Sequence, residues 1–358
     1  MKEMTKKERV LRTINFQETD RIAVYDLIDS DSIREFYGGG KINENNAWEF
    51  EYASVRNMLD MTRGLMISNF YPGRTTIDED GFKWYHDKDT SWIEKKPFDD
   101  VEGLKKWVEI DIEKRNKWNP DNNYVDEYRK TIIGHMKRIG DDTVIVTESD
   151  VGFEFARHRA GIELFSYFMV EYPDLLSDWL EALNQAEIRR AKAIADPGLV
   201  PVMLTFSDIA FKTGPIFSPE FLRKDFFPRL KRLNNIYQEA GVKCLYHSDG
   251  YLMPILDDLV AADIDGINPM EVLAGMDIKE VRQRYGNKIF ITGGIDVSQL
   301  MAFGTPDEVR EACRKAIDDT GGVGYFLGST TELHPAVKME NVLAMVETAH
   351  NYKSGIGG

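Results

Sequence analysis

Short apolar runs rich in β-forming residues alternate with longer helical patterns along the whole chain, and this alternation constrains the fold more than any other feature. It indicates βαβ units and a parallel sheet. The eight candidate strands are residues 21–27, 64–70, 143–148, 199–206, 242–247, 266–269, 288–292 and 324–327. Eight such units in 358 residues predict an α/β protein with the (β/α)8 architecture of a TIM barrel, which commonly takes from about 200 to over 400 residues.

Helix start signals fall between these runs. Thr305 and Glu308 have the spacing of a capping box, Pro306 stands at the first helical position, and Gly321 follows the last helical residue. Further helices are predicted to begin at Pro173, Ser218 and Asp277. Residues 71–98 interrupt the alternation and read as a β-hairpin inserted after the second strand, positioned to cover the carboxyl face of the barrel. With no linker composition elsewhere, residues 1–358 are predicted to form one domain, led in by a helix within residues 1–19.

Charge and cysteine content exclude several classes of protein. The formal net charge is -15, which disfavours nucleic acid and anionic membrane surfaces as partners. The chain has only two cysteines, Cys244 and Cys313, which argues against a disulfide framework and fits a reducing compartment. No run of about 20 apolar residues is present, and the charged start does not resemble a signal peptide. A soluble cytoplasmic protein is predicted.

Polar side chains follow nearly every predicted strand, at the end where barrels build their active sites. These residues are Asp26, Asn69, Glu148, Asp208, His247 with Asp249, Glu271, Asp296 and Glu332. Asp208 and Glu148 are candidate catalytic carboxylates. Candidate substrate contacts are Asp26, Asn69, Phe70, Phe206 and Tyr246, although the aromatic residues fit core packing as well.

The densest cluster is Tyr246-His247-Ser248-Asp249-Gly250, and the next strand ends in Glu271. One imidazole and two carboxylates suit a zinc site that keeps an open position for substrate. A hydrogen-bonded His–Asp pair that holds a loop, or an acid/base pair without metal, fits the same residues.

Four stretches of the chain carry a family resemblance: ERVLRTINFQETDRIAV, LYHSDGYLMPILDDLVAADIDGINPMEV, KIFITGGIDVSQL and GTPDEVREACRKAIDDTGGVGYFLG. From about residue 5 to residue 350 the chain resembles the uroporphyrinogen decarboxylase superfamily. That superfamily includes decarboxylases and zinc-dependent, cobalamin-linked methyltransferases. The resemblance therefore implies a barrel enzyme, with the reaction left open between these branches.

The decarboxylase branch places two arginines after the first strand to hold the carboxylates of the porphyrinogen. Here that segment carries Asp26, Asp29 and Asp31, with Arg34 as its only nearby cation. An acidic lining repels a polycarboxylate substrate. Uroporphyrinogen decarboxylation is therefore not expected.

The methyltransferase branch binds zinc through His-x-Cys and a later Cys. In this chain Asp249 replaces the first cysteine, and Thr331 aligns with the second. Glu332, His334 and Glu148 are candidates for a further ligand. Such a harder ligand set suits a metal that polarises an ether or hydroxyl oxygen better than one that activates a thiol.

The resemblance, combined with these replacements, implies methyl transfer from an O-methyl donor, in particular a methoxylated aromatic, to cob(I)alamin carried by a partner corrinoid protein. Zinc would be the resident cofactor. Three alternatives stay open: methyl transfer from a corrinoid to a thiol or folate, a metal-free decarboxylase or lyase of another small acid, and a non-catalytic scaffold. A homodimer is compatible with the sequence.

Overall fold

The structure is a computed structural model that describes residues 3–140 and 142–352. Its strands are β1 (Ala23–Asp26), β2 (Met61–Thr62), β3 (Arg74–Ile77), β4 (Lys83–His86), β5 (Ser91–Lys95), β6 (Val144–Ile145), β7 (Thr147–Asp150), β8 (Val202–Phe206), β9 (Ala210–Phe211), β10 (Gly214–Pro215), β11 (Lys243–His247), β12 (Gly266–Asn268), β13 (Phe290–Thr292) and β14 (Tyr325–Leu327). Its α-helices are α1 (Lys6–Ile14), α2 (Asp31–Gly38), α3 (Ala47–Met58), α4 (Val101–Lys117), α5 (Asn122–Ile139), α6 (Phe153–Ala160), α7 (Ile162–Glu171), α8 (Pro173–Ile194), α9 (Pro219–Phe221), α10 (Phe227–Glu239), α11 (Leu256–Ala261), α12 (Ile278–Tyr285), α13 (Leu300–Phe303), α14 (Pro306–Thr320) and α15 (Met339–Asn351).

Nine parallel strands form a nearly closed barrel, in the order β6, β2, β1, β14, β13, β12, β11, β8, β7. The two end strands, β6 and β7, are separated in sequence by Val146 alone. They are two halves of the third predicted strand, of which β6 pairs with β2 and β7 pairs with β8. The predicted barrel of eight strand positions is confirmed.

The second predicted strand is wrong. Residues 64–70 form no strand, and the barrel position is taken by β2, which ends at Thr62. Gly64 turns the chain away from the sheet with a φ of 155°, and the Thr62 hydroxyl donates to the Gly64 carbonyl at 2.8 Å. The apolar side chains of Leu65 and Met66, which made this run look like a strand, line a cavity instead.

The inserted segment is larger than the predicted hairpin. It forms a three-stranded antiparallel sheet in the order β3, β4, β5, in which β4 and β5 are the two predicted strands and β3 precedes them. Lys88 in this segment pairs with Asp31 at 2.9 Å, and Asp78 pairs with Arg159 of α6 at 2.6 Å. Asp31 and Arg159 both lie in segments that follow the carboxyl ends of barrel strands, β1 and β7. Coverage of the barrel mouth by this sheet stays a prediction.

The barrel interior is packed with side chains, and the helix signals of the sequence are confirmed. Val10 and Ile14 of α1 join the interior cluster with residues of the strands, so α1 closes the amino-terminal end. Thr305 caps α14 through the predicted capping box, and Gly321 ends that helix. Within the described residues, no helix is both long and apolar enough to cross a membrane. The prediction of one domain over residues 1–358 includes residues outside the described ranges and stays a prediction.

Candidate active site

Asp208, His247 and Asp249 come together at the carboxyl ends of two neighbouring strands. β8 and β11 pair in parallel, with His247 opposite Phe206, so the loops that follow both strands start side by side. One ligand-type atom from each of the three residues lies within 4.8 Å of the other two. The backbone N–H of Asp249 also donates to Asp208 Oδ1 at 3.1 Å. The chain therefore assembles one imidazole and two carboxylates at this edge.

A chain of hydrogen bonds fixes the orientation of His247. Its Nδ1 lies 2.6 Å from Asn268 Oδ1, and the Asn268 amide donates to Thr292 Oγ1 at 2.7 Å. Because the Asn268 oxygen faces Nδ1, the proton belongs on Nδ1 and the lone pair on Nε2. Burial, together with the Arg63 charge, lowers the pKa of His247 to about 4. His247 is thus a neutral imidazole with Nε2 turned toward Asp208, whose Oδ1 is 3.9 Å away.

Asp249 is the residue of this group whose surroundings best fit a bound cation. Its Oδ1 is buried and has no hydrogen-bond partner among the described residues. Burial, together with the nearby Asp208, Glu271 and Glu332 charges, raises the pKa of Asp249 to about 7. An unpartnered buried carboxylate oxygen beside a neutral imidazole is costly unless a positive group joins it. These residues fit a divalent metal ion.

The other predicted ligands, Glu271, Glu332 and His334, lie outside this group. Glu271 Oε2 accepts from the Gly250 backbone N–H at 2.7 Å, so its carboxylate supports the loop that carries Asp249. Glu332 accepts from the Thr331 hydroxyl at 3.0 Å, and its charge acts on Asp249. His334 Nδ1 accepts from the Ala336 backbone at 3.2 Å. Ligation by these three residues stays a prediction.

Arg63 is the functional candidate that the sequence reasoning missed. It follows β2 directly, its Nε donates to Glu148 Oε1 at 3.0 Å, and its Nη1 lies 3.4 Å from His247 Nε2. Arg63 therefore connects Glu148, a predicted catalytic residue, with His247. The signal is the sequence Met61-Thr62-Arg63-Gly64, in which glycine follows an arginine directly after a short strand, but the longer apolar run after Gly64 favours a strand at residues 64–70 instead.

A cavity of about 960 Å³ opens from this pair. Arg63 and Glu148 lie at one side of it, and its aromatic walls come from the loop before α5 and from α5 itself. The ring-bearing residues of the lining are Trp118, Tyr124, Tyr128 and His135. Trp118 and Tyr124 meet edge to face, with ring centroids 5.7 Å apart. The volume is that of a typical small-molecule site.

None of the five predicted substrate contacts lines this cavity. The Asp26 carboxylate accepts from Leu27 and from the backbone and hydroxyl of Ser329, and burial raises its pKa to about 7. Asn69 donates from its backbone to the Lys88 carbonyl and from its side-chain amide to the Asp87 carbonyl, and so links its loop to the inserted sheet.

The three aromatic residues of that prediction are placed differently. Tyr246 is fully buried, and its hydroxyl donates to the Ser207 carbonyl at 2.9 Å. Phe206 packs on the interior cluster of the barrel, and Phe70 is half-buried in the loop after Gly64. Substrate contact by these residues stays a prediction.

Comparison with known proteins gives relatives of two kinds. The chain is 21% identical to the methylcobamide:CoM methyltransferase MtbA of Methanosarcina mazei, over 99% of this chain and all of the relative. It is 23% identical to MtbA of Methanosarcina acetivorans over the same shares. It is also 32% identical to uroporphyrinogen decarboxylase of Danio rerio, over 52% of this chain and 49% of the relative. A solved methyltransferase structure from Methanosarcina mazei superposes with a TM-score of 0.71 at 17% identity, covering 97% of this chain and 98% of that one.

The relatives that align over their full length are methyltransferases, which identifies the chain as an enzyme of that reaction class. The pattern of the family described as uroporphyrinogen decarboxylase (URO-D) matches residues 84–352. This match spans well over half of the chain, which belongs to the uroporphyrinogen decarboxylase (URO-D) family.

Proposed function

We propose that this chain is a zinc-dependent methyltransferase that moves a methyl group from an O-methyl donor, in particular a methoxylated aromatic, to the cob(I)alamin of a corrinoid protein. The observation that carries the proposal is the ligand group of Asp208, His247 and Asp249. It contains nitrogen and oxygen donors without a thiolate, and it lies beside an aromatic-lined cavity.

Neither cysteine of the chain belongs to this group. Cys244 and Cys313 are both buried, and both pack in the cluster that lies between the barrel and its helices. A donor set of imidazole and carboxylates is harder than a thiolate set. When bound, zinc would act there as a Lewis acid toward the oxygen that loses its methyl group.

The side chains of the site have separate roles in binding the metal and the donor. His247 presents a neutral Nε2 in a fixed orientation, because Asn268 holds its Nδ1 proton. Asp208 and Asp249 supply negative charge to hold the metal. The cavity walls orient the aryl ring so that its methoxy group points toward the Arg63 side, next to His247. Holding the reactants in line lowers the entropic part of the barrier.

The proposed methyl transfer uses one electron pair from the acceptor and leaves one electron pair on the donor oxygen. The cob(I)alamin acceptor would supply the electron pair for the new bond to the methyl carbon, and the carbon–oxygen bond would break with its electrons on oxygen. The product oxygen would then take up a proton, and the methyl group would leave on the corrinoid as methylcob(III)alamin. The partner corrinoid protein brings the cobalt, so this chain need not bind cobalamin permanently.

The reverse direction is the second candidate, in which the chain methylates a thiol from a methylated corrinoid. Its support is the full-length similarity to the two methylcobamide:CoM methyltransferases. The cysteine-free ligand group weighs against it, because thiolate-rich sites suit thiol activation.

Decarboxylation of a polycarboxylate has less support from the site. Arg34 is the cation nearest to Asp29 and Asp31 in sequence, and it is fully buried. It donates to Glu51 at 2.9 Å, to Asp31 at 3.1 Å and to two backbone carbonyls. A substrate carboxylate would have to displace these partners.

Assays in both directions test the proposal. The purified protein, with zinc, reduced cobalamin and a panel of aryl methyl ethers, should convert cob(I)alamin to methylcob(III)alamin, followed by its visible spectrum. The native corrinoid protein should be used alongside free cobalamin, which reacts without its carrier's positioning. A zinc-loaded protein that is inactive with every ether, but methylates a thiol from methylcobalamin, would establish the reverse direction instead.

A further inference from the structure

The charges around the aromatic cavity are strongly unequal. Among the described residues that line it, Arg63 is the only permanent cation, whereas Asp121, Glu127 and Glu148 are acidic. Glu127 has one basic neighbour, Lys130, at 3.2 Å, and the two side chains are 59% and 75% exposed to solvent, respectively. The lining is therefore net negative.

Arg63, the single cation of the lining, already contacts two protein groups. Arg63 donates through Nε to Glu148 at 3.0 Å, and its Nη1 lies 3.4 Å from His247 Nε2. Arg190, just behind the wall, donates to the Tyr124 hydroxyl at 2.9 Å and to Glu187 at 2.6 Å. A carboxylate inside the cavity would have to compete with Glu148 and His247 for Arg63 and with Glu187 for Arg190.

The aromatic lining of the cavity favours ligands that carry a ring or a positive charge. Aromatic faces attract other rings and also cations. The hydroxyls of Tyr124 and Tyr128 already bond Arg190 and Thr147, which leaves mainly their ring surfaces for contact. Placing an anion inside a lining of net negative charge is unfavourable, because like charges brought together cost free energy.

We propose that this cavity is the donor site and that it selects neutral or cationic aryl methyl ethers over those with a ring carboxylate. This inference rests on the proposed function, because it takes the cavity ligand to be the methyl donor. It narrows the substrate class from methoxylated aromatics in general to those without an anionic group.

Calorimetric binding of three ligands of similar shape tests the selection without any turnover: 3-methoxybenzylamine, 3-methoxybenzyl alcohol and 3-methoxybenzoate. The full chain should bind the amine at least as tightly as the alcohol, and the benzoate on the order of tenfold more weakly than the alcohol. Benzoate binding as tight as that of the alcohol would overturn the inference and leave the proposed function standing.

Two charge variants test whether the weaker binding of the benzoate arises in the cavity. Glu127→Lys should strengthen benzoate binding by roughly tenfold while leaving the alcohol nearly unchanged, since it adds a cation to the lining. Asp126→Lys makes the same change in net charge one residue outside the lining and should leave the preference as it is. Equal effects of both variants, or no binding of any of the three ethers, would contradict the cavity assignment. The cobalamin assay decides separately whether the protein demethylates ethers.

Discussion

Replacing His247 with alanine should abolish metal retention while leaving the fold intact. The purified wild-type protein should hold about one zinc ion per chain, as expected for a catalytic site, and the His247→Ala protein almost none. The reason is geometric: His247 offers the one nitrogen of the ligand group, and Asn268 fixes that nitrogen toward Asp208. Elemental analysis after dialysis measures the metal, and circular dichroism checks the fold.

His334→Ala is the matched control. Its imidazole was a predicted ligand, but it bonds the Ala336 backbone and lies outside the group of three. We expect it to keep full zinc occupancy. Full occupancy in His247→Ala would mean that the metal site lies elsewhere, whereas loss of zinc in His334→Ala would mean that His334 is a ligand, as the sequence predicts.

The second large effect is expected at Asp208, for which the sequence and the structure suggest different roles. The sequence predicts a catalytic carboxylate, whereas the structure brings its side chain within 4.8 Å of the ligand atoms of His247 and Asp249. We expect Asp208→Ala to weaken zinc affinity by on the order of 10–100-fold or more, the range seen even for residues that only support ligands. Competition with a chelator of known affinity measures it.

Glu332→Gln serves as the comparison for Asp208→Ala. Glu332 is an acidic neighbour that acts on Asp249 through its charge without joining the ligand group. Its variant should change zinc affinity much less. If Asp208→Ala keeps the affinity of the wild type but loses methyl transfer, Asp208 acts as an acid or base, as the sequence predicted.

The sequence predicted the barrel well because barrel strands are buried and bounded by helix signals. Seven of the eight strand positions match predicted runs, the third of them extending to Asp150, and the caps at Thr305 and Asp277 form as expected. The error at residues 64–70 has a clear cause. Side chains that line a cavity are as apolar as those that face a barrel core, so hydrophobicity could not distinguish the two environments.

The site was only partly predictable for the same kind of reason. His247 and Asp249 stand two residues apart on one strand end, which a single sequence can show. The approach of Asp208 depends on the pairing of β8 with β11, and that of Arg63 depends on where β2 ends. The aromatic walls come from residues before and within α5, where nothing in the local sequence distinguishes cavity-lining rings from exposed ones.

The most direct test follows the methyl group itself. An aryl methyl ether with a ¹³C-labelled methoxy carbon would be incubated with the protein, zinc, its corrinoid partner and a reductant. The account predicts one labelled methylcobalt(III) for each demethylated phenol released, and loss of both products in His247→Ala. Labelled ether that stays intact while methylcobalamin is consumed by a thiol, or carbon dioxide released from a carboxylated substrate by the zinc-free protein, would contradict it.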